Sequence, residues 1–443
     1  MLYVTTRRIV ALRQDLENRS ANDADEAAAS RLPRPTAKDA LTEATIRHVA
    51  EYGIDRISLR SVAAEVGATT AAIVHHFKNK DGLLLAAAEQ ALACDRRNHE
   101  GYIAALPPMP MNAQVFADFI SAYLELQRQN SYISRFWLEA LFHSQTFPAV
   151  SEALGSWHAS RVEFWRDILK NAENPAIRAQ NFTSYIVAEE AFSCALHENP
   201  TYALIVRETA RCIASAIFDI DNHNSPDATI TNWLKNQSLR FPIVTEPDAS
   251  SMRERLLSHA AAAIRPKGTG GISQRHLAKL AGGAPSMIVY HFGDMHTFAQ
   301  EAIWRALLHR LPHEFDPEKS VIDRAEDRSH WARRMADMIC PAPDSAGDAG
   351  FYVGYSRLTG QATLLASHQP ELTPLVYHLR CLEGFGTYRL RDVIWPETSA
   401  EVGYIEAAAF GMWIKGEAVV NEAIRSRNCT TPEDILGVTS IIA

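Results

Sequence analysis

Hydroxyl, imidazole and amine side chains lie close together in the stretch from Ser58 to Lys80, and they suit hydrogen bonding rather than the breaking of covalent bonds. Thr69, Thr70 and His75 could donate hydrogen bonds to the edges of DNA bases or accept them. Motifs of phosphate-loop, serine-hydrolase or zinc-protease chemistry, GxxxxGKS/T, GxSxG and HExxH, do not occur in the chain. The sequence therefore favours a binding function, and we expect no enzymatic activity.

Two short helices separated by a tight turn would position these side chains. Ser58 can cap a first helix, and Gly67 can end it, because glycine adopts the left-handed conformation without steric penalty. The apolar residues of that helix recur at the spacing of one helical face: Leu59, Val62, Ala63 and Val66. Thr69 can cap a second helix that ends near Phe77, and Asn79 can cap the next one. This order is typical of a helix-turn-helix, whose second helix enters the major groove of DNA.

A second copy of the pattern begins 215 residues later. Residues 36–92 align without a gap with residues 251–307, and roughly a quarter of the positions are identical. The identical pairs include Gly53 and Gly268, Arg60 and Arg275, Gly67 and Gly282, and Phe77 and Phe292. Thr36 with Asp39, and Ser251 with Glu254, each place an acid three positions after a hydroxyl residue, which predicts a capping box at the start of both copies. The chain is therefore predicted to contain two copies of one module.

Both copies resemble the N-terminal DNA-binding region of TetR/AcrR-type transcriptional regulators. The motif is matched in copy one by Ala63, Gly67, Thr69, His76, Phe77 and Lys80, and in copy two by Ala278, Gly282, His291 and Phe292. Val74 and Val289 stand where the family usually has a Tyr that faces the phosphates, and Met295 stands where it has the Lys. The resemblance implies that the chain binds an operator in double-stranded DNA and that each copy continues into a helical body. In this family the body binds a small organic effector and forms the dimer interface.

The outward part of each second helix is predicted to read the DNA. In copy one the predicted base contacts are Thr69, Thr70, Ala71 and His75, and the predicted phosphate contacts are Arg60, His76 and Lys80. Packing against Phe77 is an equally good interpretation of His76. In copy two the corresponding residues are Pro285, Ser286 and Tyr290, with Arg275 and Lys279 for phosphates. Ala284 replaces the capping Thr69, which should cost about 1 kcal/mol, although Pro285 suits the first turn.

Aromatic and polar residues within the apolar helices of the bodies are candidates for an effector pocket. In copy one they are Trp137, His143, Trp157, His158, Arg161, Trp165 and Tyr185, and in copy two Gln361, Tyr377, Arg380, Tyr388, Tyr404 and Trp413. For each aromatic residue packing in a core or an interface is the simpler interpretation, because aromatic side chains at helical spacing are usually buried. For Arg161 the simpler interpretation is a solvated or paired charge at the surface. A pocket as such is expected, since the interiors of helical bundles commonly hold ligands.

Charge and cysteine content set limits on partners and compartment. The 443 residues include 52 acids and 44 bases, an acidic balance that argues mildly against nucleic acid. Screening limits the reach of a charge to about 8–10 Å, so local balance decides, and residues 251–307 carry seven bases against three acids. Six cysteines lie far apart without a CxxC pair, which favours reduced thiols, and the histidine spacing favours neither a metal site nor a cofactor. Without a membrane-length apolar run or a secretion signal, we expect a cytoplasmic protein.

Helical periodicity and punctuating prolines predict an all-α fold throughout. The predicted order is a flexible arm (1–35), a helix-turn-helix domain (36–82), a ligand-binding and dimerisation body (83–220), a linker (221–249), a second helix-turn-helix domain (250–297) and a second body (298–443). Two different recognition helices in one chain indicate an intramolecular pseudo-dimer, a repressor that reads an asymmetric site, and further homodimerisation stays open. The alternative is a ligand-sensing or protein-interaction module in which the second or both helix-turn-helix units no longer bind DNA.

Overall fold

A computed structural model describes residues 36–218, 230, 233, 234, 236, 251–271, 274–280, 282–308, 327–341, 350–424 and 429–442. The described residues contain helices and no strands, which confirms the all-α fold class. The chain divides into two compact units, residues 1–41 and 42–443. The predicted arm (1–35) and most of the predicted linker (221–249) lie outside the described residues. We call residues 36–218 the first half and residues 251–442 the second half.

Nine α-helices make up the described part of the first half. They are α1 (Ala37–Tyr52), α2 (Leu59–Glu65), α3 (Thr70–Phe77), α4 (Lys80–Ala105), α5 (Ala113–Gln129), α6 (Ser131–Phe142), α7 (Ser151–Ile168), α8 (Pro175–Leu196) and α9 (Pro200–Ile217). Short 3-10 turns cover Ile54–Arg56 and Pro148–Val150. Prolines begin α8 and α9, where their fixed φ suits the first turn and no helical N–H is lost.

Eleven α-helices make up the described part of the second half. They are α10 (Met252–Lys267), α11 (Gln274–Leu280), α12 (Ser286–Phe292), α13 (Met295–Leu308), α14 (Arg328–Ile339), α15 (Phe351–Ala366), α16 (Thr373–Leu382), α17 (Phe385–Arg389), α18 (Arg391–Ile394), α19 (Tyr404–Ala423) and α20 (Pro432–Ile442). The shift of 215 positions carries α1 onto α10 and α2 onto α11 at both ends. It also carries the first residues of α4 and α5 onto those of α13 and α14.

The two halves share a core. Helices α8 and α19 pack along each other so closely that a β-carbon at Gly416 would overlap the carbonyl oxygen of Ser184. Ser184 also donates a hydrogen bond of 2.6 Å to Glu417. Helix α15 lies against α6 and α8, and the side-chain amide of Gln361 donates to the carbonyl oxygen of Phe142 at 2.9 Å. One apolar cluster runs from α5 through α8 to α13, α16 and α19, so burial of apolar surface holds the halves together.

Two predictions of the sequence are wrong in detail. Cys340 and Cys429 form a disulfide across a sequence separation of 89 residues, so the expectation of six reduced thiols fails for this pair. Because α20 packs against α14, the α-carbons of Cys340 and Cys429 lie 6.0 Å apart, close enough for a disulfide. The spacing of the cysteines along the sequence could not reveal this. Ser251 makes no side-chain cap, and the side chain of Glu254, the acid of the predicted capping box, pairs with Arg305. In the described part of the chain, no helix combines the length and the apolar character needed to cross a membrane.

Candidate nucleic-acid interface

Local hydrogen bonds fix the geometry of α2 and α3. The backbone N–H of Ser61 donates to the Ser58 hydroxyl at 3.1 Å, and the N–H of Ser58 donates to the Ser61 hydroxyl at 3.3 Å. Gly67 ends the first helix with a φ of 65°, in the left-handed region that glycine favours. The Thr69 hydroxyl accepts from the N–H of Ala72 at 3.2 Å and so caps α3. The three predictions made for these positions are confirmed.

Helix α3 has a buried side and an exposed side. Ile73 and Phe77 are 0% and 6% exposed and anchor the helix on the domain. Thr69, Thr70, Ala71, His75 and His76 are all exposed. Val74, where the family motif usually has a tyrosine, is 49% exposed and adds an apolar contact surface to the same side. This side can enter a major groove without any change in the buried side.

The predicted phosphate contacts of the first half differ in their surroundings. Arg60 is exposed on α2. Lys80 at the start of α4 is half-buried, and its Nζ atom lies 4.8 Å from the centre of the Phe147 ring. Burial lowers the pKa of Lys80, while the charges of Asp55 and Asp81 act in the opposite direction. The Asn79 side chain caps α4 by accepting from the N–H of Gly82 at 2.8 Å, as predicted.

Glu139 of α6 and His143, the residue that follows α6, contact the turn between α1 and α2. The buried Glu139 carboxylate accepts from the N–H of Ile54 at 3.1 Å. His143 lies 3.5 Å from Asp55 and 3.3 Å from Glu139. Burial raises the pKa of Glu139, while the nearby His143 acts in the opposite direction. His143, predicted as an effector contact, therefore contacts the segment between α1 and α2. Nothing in the local sequence indicates that Glu139 would accept a hydrogen bond from this segment.

Helix α12 of the second half also has a buried side and an exposed side. Ile288 and Phe292 are buried on α12 at 0% and 7% exposure. Tyr290 is 81% exposed, and the other predicted contacts, Arg275, Lys279, Pro285 and Ser286, are also exposed. No side chain caps α12. Asp294, which corresponds to Asn79, caps α13 by accepting from the N–H of Thr297 at 2.7 Å.

Most of the predicted effector contacts of the first half lie in the core. Trp137, Trp157 and Trp165 are fully buried. The guanidinium group of Arg161, 1% exposed, donates to Asp95 at 3.0 Å and to Glu190 at 2.8 Å. Burial would lower the pKa of Arg161, but these two carboxylates raise it above its ordinary value. His158 is buried beside this network, which lowers its pKa to about 4. The Tyr185 hydroxyl donates to Glu189 at 3.0 Å.

Some of the predicted effector contacts of the second half lie at the interface with the first half, and others pack within the second half. Arg380 donates to Glu189 of α8 through Nε at 3.2 Å and Nη2 at 3.0 Å. The Tyr404 hydroxyl donates to the carbonyl oxygen of Cys381 at 2.9 Å. Gln361 is buried against α6, and the remaining three predicted residues are Tyr377, Tyr388 and Trp413, of which the first two are half-buried. Trp413 and Tyr185 both line a cavity of about 50 Å³ between the halves.

A larger cavity, of about 290 Å³, lies between α1, α5, α6 and α8 of the first half. Its polar lining includes Gln127, Ser134, Arg135, Glu190 and Cys194, and none of the predicted effector contacts is among its residues. Helical periodicity shows which side chains face inward but does not show where the packing leaves a gap. The sequence could therefore not identify the residues that line this cavity. Among the described residues, no cluster of three or more His, Cys, Asp or Glu side chains could hold a metal ion.

Comparison with known proteins identifies the domain that contains α2 and α3. Curated protein sequences give no match to the chain. Residues 41–87 match the family model described as "Bacterial regulatory proteins, tetR family". This segment runs from α1 to the first turns of α4, and it includes the whole exposed side of α3 described above. Residues 41–87 are thus similar to the DNA-binding domain of regulators of the TetR family.

Proposed function

We propose that the chain is a repressor, and not an enzyme, that binds duplex DNA through two non-identical helix-turn-helix units. The first unit consists of α2 and α3, and the second of α11 and α12. The main support is that both units occupy positions 215 residues apart and bury matching anchors, Ile73 and Phe77 in one, Ile288 and Phe292 in the other. Each recognition helix thereby directs a polar side outward, where a major groove can receive it.

The two halves would act as a covalent pseudo-dimer. Helix α8 packs along α19, and Glu189 of α8 pairs with Arg380 of α16 at 3.0 Å. Homodimeric regulators read palindromes because the half-sites mirror the two-fold axis of the protein. Here α3 presents Thr70 and His75, whereas α12 presents Ser286 and Tyr290. Two half-sites with different sequences are therefore the expected operator.

A small organic ligand in the helical body would control release from the DNA. The contacts of Glu139 with Ile54 and of His143 with Asp55 support this part of the proposal. The two contacts join α6 and the residue that follows it to the turn that precedes α2. A ligand that displaces α6 would displace this turn, and the exposed side of α3 would then no longer fit the groove. Such control requires that the ligand bind more tightly when α6 is in its displaced position than when it is in its original one.

Selection of bound sequences from a random duplex pool with the full chain tests the proposal. The expected consensus is asymmetric, with one chain bound at two unlike half-sites. His75→Ala should relax the selection at one half-site and Tyr290→Ala at the other, because base contacts specify sequence. Leu204→Ala removes an exposed apolar side chain of α9, outside the recognition helices, and should leave the consensus unchanged. A perfect palindrome occupied by four helix-turn-helix units would contradict the pseudo-dimer.

The salt dependence of affinity separates specific regulation from weak, incidental binding. A chain that neutralises six or more phosphates should lose roughly a thousandfold in affinity between about 50 and 200 mM salt. If Lys80 turns from Phe147 to a phosphate on binding, Lys80→Ala should reduce the slope of log affinity against log salt concentration by about one. Weak binding that does not change with salt would contradict DNA binding as the function.

Two observations favour a second candidate, a ligand-sensing or protein-interaction module whose second helix-turn-helix does not bind DNA. No side chain caps α12, and Met295 stands where the first half has Lys80. If Tyr290→Ala leaves both the consensus and the affinity unchanged while His75→Ala abolishes binding, this candidate replaces the proposal for the second half.

A further inference from the structure

The cavity of about 290 Å³ in the first half has a polar floor and a charged rim. Gln127, Ser134 and Glu190 are each at most 5% exposed and lie at its inner side. Apolar contact comes from Leu124 and Leu138. This volume is close to the lower end, about 300 Å³, of sites that bind small organic molecules, and a few convergent polar groups in an apolar lining are typical of such sites.

Two of the charged side chains around this cavity, Glu190 and Arg128, are already paired with an opposite charge. Glu190 accepts both from Arg161 at 2.8 Å and from the Tyr123 hydroxyl at 2.9 Å. Arg128 pairs with Glu125 at 2.6 Å on the surface. Glu51, which is exposed, accepts from the neutral Tyr132 hydroxyl at 3.2 Å and keeps its negative charge at the rim. Among the arginines of the lining, Arg128 is thus paired with a carboxylate, and the other arginine cation remains to be described.

That cation is Arg135 of α6. In the part of the chain that the structure describes, its guanidinium group forms no ion pair with a carboxylate. Its Nη1 atom donates to the carbonyl oxygen of Ala50 at 3.4 Å and lies 3.3 Å from Nε2 of His368. A guanidinium group that lines a cavity without a carboxylate partner is a ready receptor for one, because its planar fork binds both oxygens of the anion.

The second half contains the same arginine with its partner supplied. Pro148 and Pro370 begin the two matching 3-10 turns and differ by 222 positions, and Arg135 and Arg357 differ by the same number. Arg357 forms an ion pair with Glu422 of α19, a residue only 5% exposed. The chain thus places a carboxylate of its own against this arginine in one half and a cavity beside it in the other.

We propose that the cavity of the first half binds a small organic carboxylate, with the carboxylate on Arg135 and the remainder of the molecule between Leu124 and Leu138. Gln127 and Ser134 at the floor suit a hydroxyl or amide group at the far end of the ligand. Binding of the carboxylate draws Arg135 away from the carbonyl oxygen of Ala50. Ala50 belongs to α1, the first helix of the DNA-binding domain. The inference deepens the ligand control proposed above and rests on it for its regulatory meaning.

Calorimetric titration of the full, DNA-free chain tests the site with acetate, benzoate and hexanoate, each compared with its uncharged amide. At least one acid should bind about tenfold or more tightly than its amide, as charge-assisted hydrogen bonds to arginine require. Arg135→Gln should abolish this preference. Cys194→Glu should abolish it too, by supplying a carboxylate at the cavity as Glu422 does in the second half.

Arg128→Gln is the matched control, because it removes the same charge from the rim of the same cavity while Arg128 is already paired with Glu125. This variant should keep the preference for the acids. Equal binding of every acid and its amide by the wild-type chain, at concentrations up to the millimolar range, would overturn the proposal. A preference retained in folded Arg135→Gln would overturn it as well. Because no DNA is present in this titration, its result is independent of duplex binding. A chain that does not bind duplex DNA could still bind the acids, and a chain that binds duplex DNA could fail to bind them.

Discussion

Replacement of Arg380 by methionine should destabilise the chain by about 3 kcal/mol, because it leaves the carboxylate of Glu189 buried without its cation. Glu189 and Arg380 are 0% and 1% exposed, and they join α8 of the first half to α16 of the second. Burial would lower the pKa of Arg380, but the ion pair with Glu189 raises it above its ordinary value. The side chain is therefore charged in the folded state, and its partner depends on that charge.

The magnitude follows from the other partners of Glu189. Removal of one member of a buried ion pair typically costs about 3–5 kcal/mol. The hydroxyls of Tyr185 and Tyr202 donate to the same carboxylate at 3.0 and 2.9 Å, and they would continue to stabilise it. We therefore expect the lower end of the range. Glu189→Gln in the Arg380→Met background removes the uncompensated charge and keeps an acceptor for a tyrosine, so it should recover about 2 kcal/mol.

Urea-induced unfolding monitored by tryptophan fluorescence measures these differences. Arg166→Met is the control, since Arg166 pairs with Glu163 on the surface of α7 with both side chains about half exposed. Loss of that pair should change the free energy of unfolding by no more than about 0.5 kcal/mol. If Arg380→Met is no more destabilising than Arg166→Met, or if the double variant is no more stable than Arg380→Met, the buried pair does not hold the halves together and the reasoning fails.

Three further predictions concern single sites. Thr69→Ala removes the cap on Ala72 and should lower the free energy of unfolding by about 1 kcal/mol in thermal denaturation, with little loss for Thr69→Ser; equal stability of the two variants would contradict the cap. Burial lowers the pKa of His158 to about 4, below the ordinary value near 6.5, so the unfolded chain binds more protons between these values. Stability should therefore fall as the pH drops through this window, by about 2 kcal/mol at pH 5, and His158→Gln should make the urea midpoint less dependent on pH. Cys340→Ser opens the loop of 89 residues closed by Cys429 and should cost about 2–4 kcal/mol, and a reductant should destabilise the wild type but not this variant.

Local sequence was sufficient for the framework of the first helix-turn-helix. The caps of Ser58, Thr69 and Asn79 each join atoms within three residues of one another. The left-handed conformation of Gly67 depends only on the absence of a β-carbon. Such interactions form wherever the backbone is helical, so they can be predicted without knowledge of distant parts of the chain. The capping box predicted for Ser251 and Glu254 is wrong, and the Glu254 side chain pairs with Arg305, a residue far along the chain.

Tertiary structure alone decided which distant side chains meet. Glu139 reaches Ile54 across 85 positions, and Arg380 reaches Glu189 across 191. Helical periodicity indicates that a side chain faces inward, but many partners lie at comparable distances along the chain and only packing selects one. The cavity beside Arg135 has the same origin, since it is a gap left between four helices. The sequence by itself determined the helices, their caps and the exposed side of α3, because these depend on neighbours in the chain. The buried ion pairs, the disulfide and the cavity depend on the packing of helices far apart in sequence, and only the tertiary structure could assign them.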